Sequence, residues 1–226
     1  MTGTLLLDLD GTLVDTLPDL TAALNRLMAA RGLAGFPPAE VAGFVGDGVA
    51  RLVERAFLAR GRQPDAAAVA AYSADYTAHA TAGSRPFPGV PEVLRGLHDE
   101  GWRLAVCTNK PEAAARVLLE GLGLAPLLAA IGGGDSFSAR KPDPLHLLET
   151  LRAAGGTPDR AVMVGDHAND VAAARGAGVP CIFAAWGYGR PEMADGAAAV
   201  ARSPIEMAEL ARRLIGQVGK TSRPEA

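Results

Sequence analysis

An α/β protein is predicted: a doubly wound, Rossmann-like parallel sheet with a small α-helical unit inserted after the first strand. Three observations predict it. Leu5 to Leu9 make a short apolar run next to a Gly-Thr turn, the pattern of a buried strand. Residues 15–84 show helical periodicity and no convincing strand. From Pro86 onward, helical segments alternate with nearly continuous apolar runs, which is how a parallel sheet covered on both faces reads.

The elements follow in order. Thr16-Leu17-Pro18-Asp19 has capping-box spacing, and Leu20, Leu24, Leu27 and Met28 follow at helical intervals up to Gly32. A Gly-Pro-rich joint, Gly35 to Pro38, leads to Gly46-Asp47-Gly48 and a second amphipathic helix marked by Val49, Leu52, Val53, Ala56 and Phe57. Residues 65–82 form a third, with Val69, Tyr72 and Tyr76 on one side. Beyond Pro86, helix is expected at Val90–Glu100, Glu112–Leu122, Pro142–Ala154 and Ala168–Ala177. Strand is expected at Arg103–Thr108, Leu127–Ile131, Ala161–Val164 and Val179–Ala184. Ser203-Pro204-Ile205-Glu206 starts a last helix to Ile215, and residues 216–226 have little to bury and read as a frayed tail.

Composition narrows the class. The chain has 226 residues, 49% hydrophobic and 21% charged, enough to bury a sizeable core. A net charge of −3 without a long basic run argues against nucleic acid or an anionic membrane as partner. The N-terminal apolar run lacks a basic flank and is broken by Asp8, so it is not read as a signal peptide, and no stretch reaches membrane-spanning length. Cys107 and Cys181 each lie in an apolar run and read as buried free thiols of a cytoplasmic protein. A monomer or homodimer fits equally well.

The chemistry-bearing residues fall where the strands end. Asp8 and Asp10 interrupt TLLLDLDGTLVDT; two apart on a strand they would point the same way, and their like charges call for a cation between them. Carboxylate oxygens are what Mg²⁺ prefers. Thr108-Asn109-Lys110 ends the next strand, Gly132-Gly133-Gly134-Asp135 and then Lys141-Pro142 follow the third, and Gly165-Asp166-His167-Ala168-Asn169-Asp170 ends the fourth. In a parallel sheet these loops share one face and one crevice. Only Lys110, Lys141 and Lys220 among the 22 basic residues are lysines. A compact ammonium suits one phosphoryl oxygen and an aspartate partner, a role assigned to Lys141, whereas Lys110 reads as a solvated surface lysine. His167 reads as a loop histidine facing solvent, with contact to substrate or a metal-bound water as the alternative, and His79, His98 and His146 read as structural. Trp102 and Trp186 read as packing at strand edges, although Trp186 with Gly187-Tyr188-Gly189 can rim the site.

DLDGT, Thr108-Asn109, Lys141-Pro142-Asp143-Pro144 and Gly165-Asp166…Asp170, in that order at strand ends, resemble the haloacid dehalogenase-like hydrolase superfamily from residue 8 to about 190. VDTLPDL, FVGDGVARLVERAF, PFPGV, CTNKP, GGDSFSARKPDP and WGYG resemble, within it, the phosphoglycolate phosphatases. The resemblance implies a core of residues 1–14 and 85–226 and a small α-helical cap at 15–84. It implies Asp8 as nucleophile on phosphorus and Asp10 as general acid and base. It further implies Mg²⁺ on Asp8, the Asp10 carbonyl and Asp166, phosphate oxygens held by Thr108, Asn109 and Lys141, and Asp170 orienting Lys141 or a metal-bound water. Substrate choice would sit in the cap. There the Gly46-Asp47-Gly48 backbone N–H groups at a helix start suit a small carboxylate, and Arg51 one turn on can add charge or simply face solvent. The implied substrate is 2-phosphoglycolate. Alternatives are another small phosphomonoester (a sugar or amino-sugar phosphate, nucleotide or pyrophosphate), a phosphosugar mutase, or a non-catalytic binding protein on the same fold.

Overall fold

The computed structural model describes residues 2–221. In chain order the strands are β1 (Thr4–Leu7), β2 (Val14–Asp15), β3 (Arg85–Pro86), β4 (Arg103–Cys107), β5 (Ala130–Gly132), β6 (Ala161–Gly165), β7 (Cys181–Ala184) and β8 (Ala199–Ala201). The helices are α1 (Leu17–Ala30), α2 (Pro38–Ala42), α3 (Val49–Leu58), α4 (Ala68–His79), α5 (Val90–Asp99), α6 (Glu112–Gly121), α7 (Pro144–Ala153), α8 (Ala168–Gly176) and α9 (Pro204–Thr221).

Six strands form one parallel sheet in the order β5-β4-β1-β6-β7-β8. Side chains alternate across it, as the pleat requires. Leu5, Leu7, Leu104, Val106, Val162 and Val164 pack on one face under α5, α6 and α9. Leu6, Ala105, Cys107, Met163 and Phe183 pack on the other under α7 and α8. The chain runs outward from β1 to β4 and β5, then crosses back to β6 on the other side of β1. The switch point where ligands bind in such sheets therefore lies at the carboxyl end of β1.

Helices α1 to α4 stand between β1 and β4 and share a second core of Leu24, Met28, Val53, Phe57 and Tyr72. The chain leaves for this unit through β2 and returns through β3, which pair antiparallel, Val14 with Pro86 and Asp15 with Arg85.

Several local expectations are corrected. The third strand is Ala130–Gly132, because Ala125–Leu127 is taken by a 3₁₀ turn. The Gly-Pro joint runs directly into the short helix α2, started by Pro38 at its first turn, where a missing N–H costs nothing. Edge strand β8, with Val200 exposed, escaped notice because three residues carry too little period. The capping box at Thr16 does not form: the Thr16 hydroxyl donates to Asp10 Oδ1 at 2.8 Å, and Asp19 accepts from Gly83 N, Ser84 N and Ser84 Oγ instead. The last helix continues past Ile215 to Thr221, since a helix once nucleated extends at one hydrogen bond per residue. The rest of the tail expected to fray, 222–226, lies outside the described residues. Both cysteines are free and buried, and among the described residues no helix is long and apolar enough to cross a membrane.

Candidate active site

Asp8 extends the β1 ladder by one bond, its N–H donating to Val164 O at 2.9 Å. The chain then turns sharply at Gly11, in the left-handed region, where a side chain would collide with Asp166. Asp10 lies in this turn beyond the strand, so strand periodicity no longer applies to it. The two carboxylates have different partners. Asp8 joins Asp166 and Asp170, each offering a carboxylate oxygen within 4.8 Å of the others. Asp10 accepts from Thr16 Oγ1 and pairs with Lys110 Nζ at 2.8 and 3.0 Å.

Lys141 Nζ lies 2.6 Å from Asp170 Oδ1 and 2.9 Å from Asp8 Oδ1. Burial works against the Lys141 charge, but Asp170 and Asp8 outweigh it and hold its pKa above the ordinary lysine value. The Lys141–Asp8 contact is an ion pair without hydrogen-bond alignment, so Asp8 Oδ1 stays buried with no hydrogen-bond partner. Asp166 accepts from Thr12 Oγ1 at 2.9 Å, Tyr188 N at 2.7 Å and Gly189 N at 3.2 Å. Burial, and then the charge of Asp8, still push its pKa up to about 6. An orphaned carboxylate oxygen among three crowded buried acids is what a divalent cation would satisfy, and an all-oxygen donor set suits a hard ion.

The neighbouring loops are set by close backbone packing. Asn109 Nδ2 donates to Lys141 O at 2.9 Å and Gly46 O at 3.0 Å, tying three loops together. Gly134 lies against Asn109 O and Gly133 against Glu112 N, positions a Cβ would fill at 2.4 Å in both cases. Thr108 is buried, and its hydroxyl accepts from Lys110 N at 3.2 Å.

Gly46-Asp47-Gly48 docks onto this face. Asn169 Nδ2 donates to Asp47 Oδ1 at 2.6 Å, and Asp47 also pairs with Arg55. Gly48, in the left-handed region, caps α3. Arg51 is exposed, pairs with Glu54 at 2.5 Å, and lines a separate cleft with Arg55 and Arg140. The structure thus brings Asp8, Asp10, Thr108, Asn109, Gly46 and Gly48 around one cavity of ≈ 560 Å³, and leaves Arg51 outside it.

Two expectations fail here. Lys110 is not solvated: it is 5% exposed, with Asp10 as partner. Its loop position hid this, since Asp10 lies far away in sequence. His167 does not face solvent: it is half-buried against Gly46, and its Nδ1 accepts from Asn169 N at 3.2 Å. Burial lowers its pKa although Asp47 and Asp8 favour its charge. The Gly187-Tyr188-Gly189 segment reaches the site as its rim reading expects, and the Tyr188 hydroxyl donates to Asp15. The bond from Thr12 to Asp166 joins residues far apart in sequence and carries no local signal. His146 is structural, buried with Nε2 2.9 Å from Gly133 O.

A family model for haloacid dehalogenase-like hydrolases matches residues 2–178. The chain is 42% identical over 218 residues to a phosphoglycolate phosphatase of Mesorhizobium japonicum, covering 94% of this chain and 96% of that one. It is 47% identical over 202 residues to a phosphoglycolate phosphatase of Rhodospirillum rubrum, covering 85% and 84%. Its fold is similar to that of CbbY from Rhodobacter sphaeroides, solved in complex with phosphate, with a TM-score of 0.78, 27% identity and coverage of 92% and 96%. With the acids and lysine assembled at the sheet's switch point, the chain belongs to the haloacid dehalogenase-like hydrolase family and is a phosphoric monoester hydrolase of the phosphoglycolate phosphatase-like kind.

Proposed function

We propose that the enzyme hydrolyses 2-phosphoglycolate to glycolate and phosphate through a phosphoryl group carried on Asp8, with Mg²⁺ as cofactor. The observation that carries this reading is the different company of the two carboxylates: Asp8 beside Lys141 and two further acids, Asp10 with Lys110 and Thr16. That division suits one carboxylate to attack and the other to handle protons.

An Asp8 oxygen attacks phosphorus, the bond from phosphorus to the glycolate oxygen breaks, and Asp10 gives that oxygen its proton. A water then attacks the same phosphorus as Asp10 takes back a proton, and the Asp8 carboxylate is released. Thr108, Asn109 and Lys141 hold the equatorial oxygens, and Asp170 fixes Lys141. Mg²⁺, held by Asp8, Asp166 and the backbone carbonyl of Asp10, would offset the repulsion between substrate phosphate and Asp8. Residues 15–84 serve as a cap over a core of 1–14 and 85–226. Gly46 and Gly48 contribute to the substrate side of the cavity, Asp47 fastens their loop to Asn169 and Arg55, and Arg51, already paired with Glu54, stays out of the cavity.

Phosphate release from a panel of 2-phosphoglycolate, sugar phosphates, nucleotides and pyrophosphate, with Mg²⁺ and with EDTA, tests the reading. The highest kcat/KM is expected on 2-phosphoglycolate, lost in EDTA and restored by Mg²⁺. Preference for a hexose phosphate would overturn the substrate, and full activity in EDTA the cofactor.

A further inference from the structure

Lys110 has no part in the steps above except as the neighbour of Asp10, yet it is buried at the floor of the cavity between the helical insert and the sheet. Among the described residues lining that cavity it is the one cation. Its Nζ lies 4.2 Å from the centre of the Tyr76 ring, which stacks on Tyr72 at 6.2 Å between centroids. Both tyrosines line the cavity, both are almost wholly buried, and neither hydroxyl has an acceptor to donate to. Burial raises the pKa of both, with Tyr76 and Asp10 adding to it at Tyr72, and the burial effect at Tyr76 outweighs the opposing charge of Lys110. They therefore stay protonated, two O–H donors without an acceptor, which is costly for buried groups unless a partner arrives. The remaining wall is largely apolar, with Leu20, Val49 and Leu52. One ammonium and two idle donors against an apolar wall complement a small organic anion.

We propose that Lys110 is a substrate-binding residue whose ammonium, assisted by the Tyr72 and Tyr76 hydroxyls, receives a carboxylate on the leaving alcohol and thereby releases Asp10 to the leaving oxygen. The proposal rests on the 2-phosphoglycolate reading for the identity of that anion. A buried ammonium needs a counter-charge at all times. Asp10 supplies it in the structure, and a substrate carboxylate supplies it in the complex. A substrate without an anionic leaving group leaves Asp10 held by Lys110 and Thr16, so one contact both selects the substrate and frees the acid.

Two inhibitors that cannot be hydrolysed, 3-phosphonopropionate and propylphosphonate, differ at the carboxylate and test this by competition against an aryl phosphate. The wild type should bind the carboxylated compound at least about tenfold more tightly, the size of one charge-assisted hydrogen bond. Lys110→Gln should bring the two within about threefold, and should lose at least about tenfold more kcat/KM on 2-phosphoglycolate than on ethyl phosphate. Equal inhibition of the wild type by the two phosphonates overturns the proposal, as does a retained preference in folded Lys110→Gln. Should that variant not fold, the wild-type pair decides, with Tyr72→Phe expected to weaken only the carboxylated inhibitor. Discrimination between the phosphonates without hydrolysis of 2-phosphoglycolate would sink the substrate reading and keep the Lys110 site. Hydrolysis without discrimination would do the reverse.

Discussion

The Tyr188 hydroxyl donates to Asp15 Oδ1 at 2.7 Å, joining the loop after β7 to the strand that opens the helical insert. The same oxygen accepts from Thr16 N at 2.7 Å and Leu17 N at 3.0 Å, serving the first orphan N–H groups of α1. The backbone N–H of Tyr188 meanwhile donates to Asp166 Oδ2. One residue thus ties an acid of the active site to the base of the insert.

Tyr188→Phe leaves Asp15 and two N–H groups without this partner. A buried polar group left unsatisfied costs about 1–3 kcal/mol. In a domain of this size each kcal/mol lowers Tm by about 2–4 °C. A thermal melt should show that loss together with a fall in kcat/KM, and an unchanged melt would mean that water replaces the hydroxyl.

Asp8→Asn keeps the shape of the side chain and removes the charge proposed to attack phosphorus. Turnover should fall at least about a thousandfold while circular dichroism shows the fold intact. Retained turnover in a folded variant would remove Asp8 from the reaction.

Gly46→Ala places a Cβ 2.5 Å from His167 Cδ2 at a backbone φ of +115°. The docking of the insert on the α8 loop should loosen. Loss of kcat/KM should be at least about tenfold greater for 2-phosphoglycolate than for an activated aryl phosphate, whose leaving group needs little help. Equal losses on both would place Gly46 outside substrate selection.

His146 is buried without a carboxylate partner, and burial followed by the nearby Lys141 charge lowers its pKa to about 4. In the unfolded chain it titrates near 6.5. Between those values the unfolded state binds more protons, so stability falls as pH falls through the window, by at most about 1.4 kcal/mol per pH unit. Urea melts at pH 7 and pH 4.5 should show wild type losing more stability than His146→Gln. Parallel losses would mean that the folded protein accommodates the charged imidazole.

The gathering of the acids and the Thr108-Asn109 turn at one end of the sheet was legible because it rests on local rules. Asp8, Asp166 and the Thr108-Asn109 turn follow apolar strands directly, and a parallel sheet gathers such strand ends without long-range information. What stayed hidden depends on partners distant in sequence. Lys110 looks like any polar loop residue until Asp10, on another strand's turn, supplies its counter-charge. Thr16 has the spacing of a helix cap, but its hydroxyl is drawn to Asp10 by contacts that outrank local propensity. The edge strand Ala199–Ala201 and the short α2 carry too few residues for any period to register.

The position of the insert also bears on how the chain reaches its fold. Leu5 in β1 pairs with Leu104 and Val162, roughly a hundred and a hundred and fifty residues away, so the central strand has no near neighbour in sequence. Closing so long a loop from an open coil is slow and entropically unfavourable. The helical unit makes its own core from local contacts, and the β2–β3 ladder brings its two ends together. Formed first, it shortens the effective tether between β1 and β4 to the turn before β2 and the segment after β3 that carries α5. The segment that covers the finished site would then also act, during folding, as a splint for the sheet beneath it.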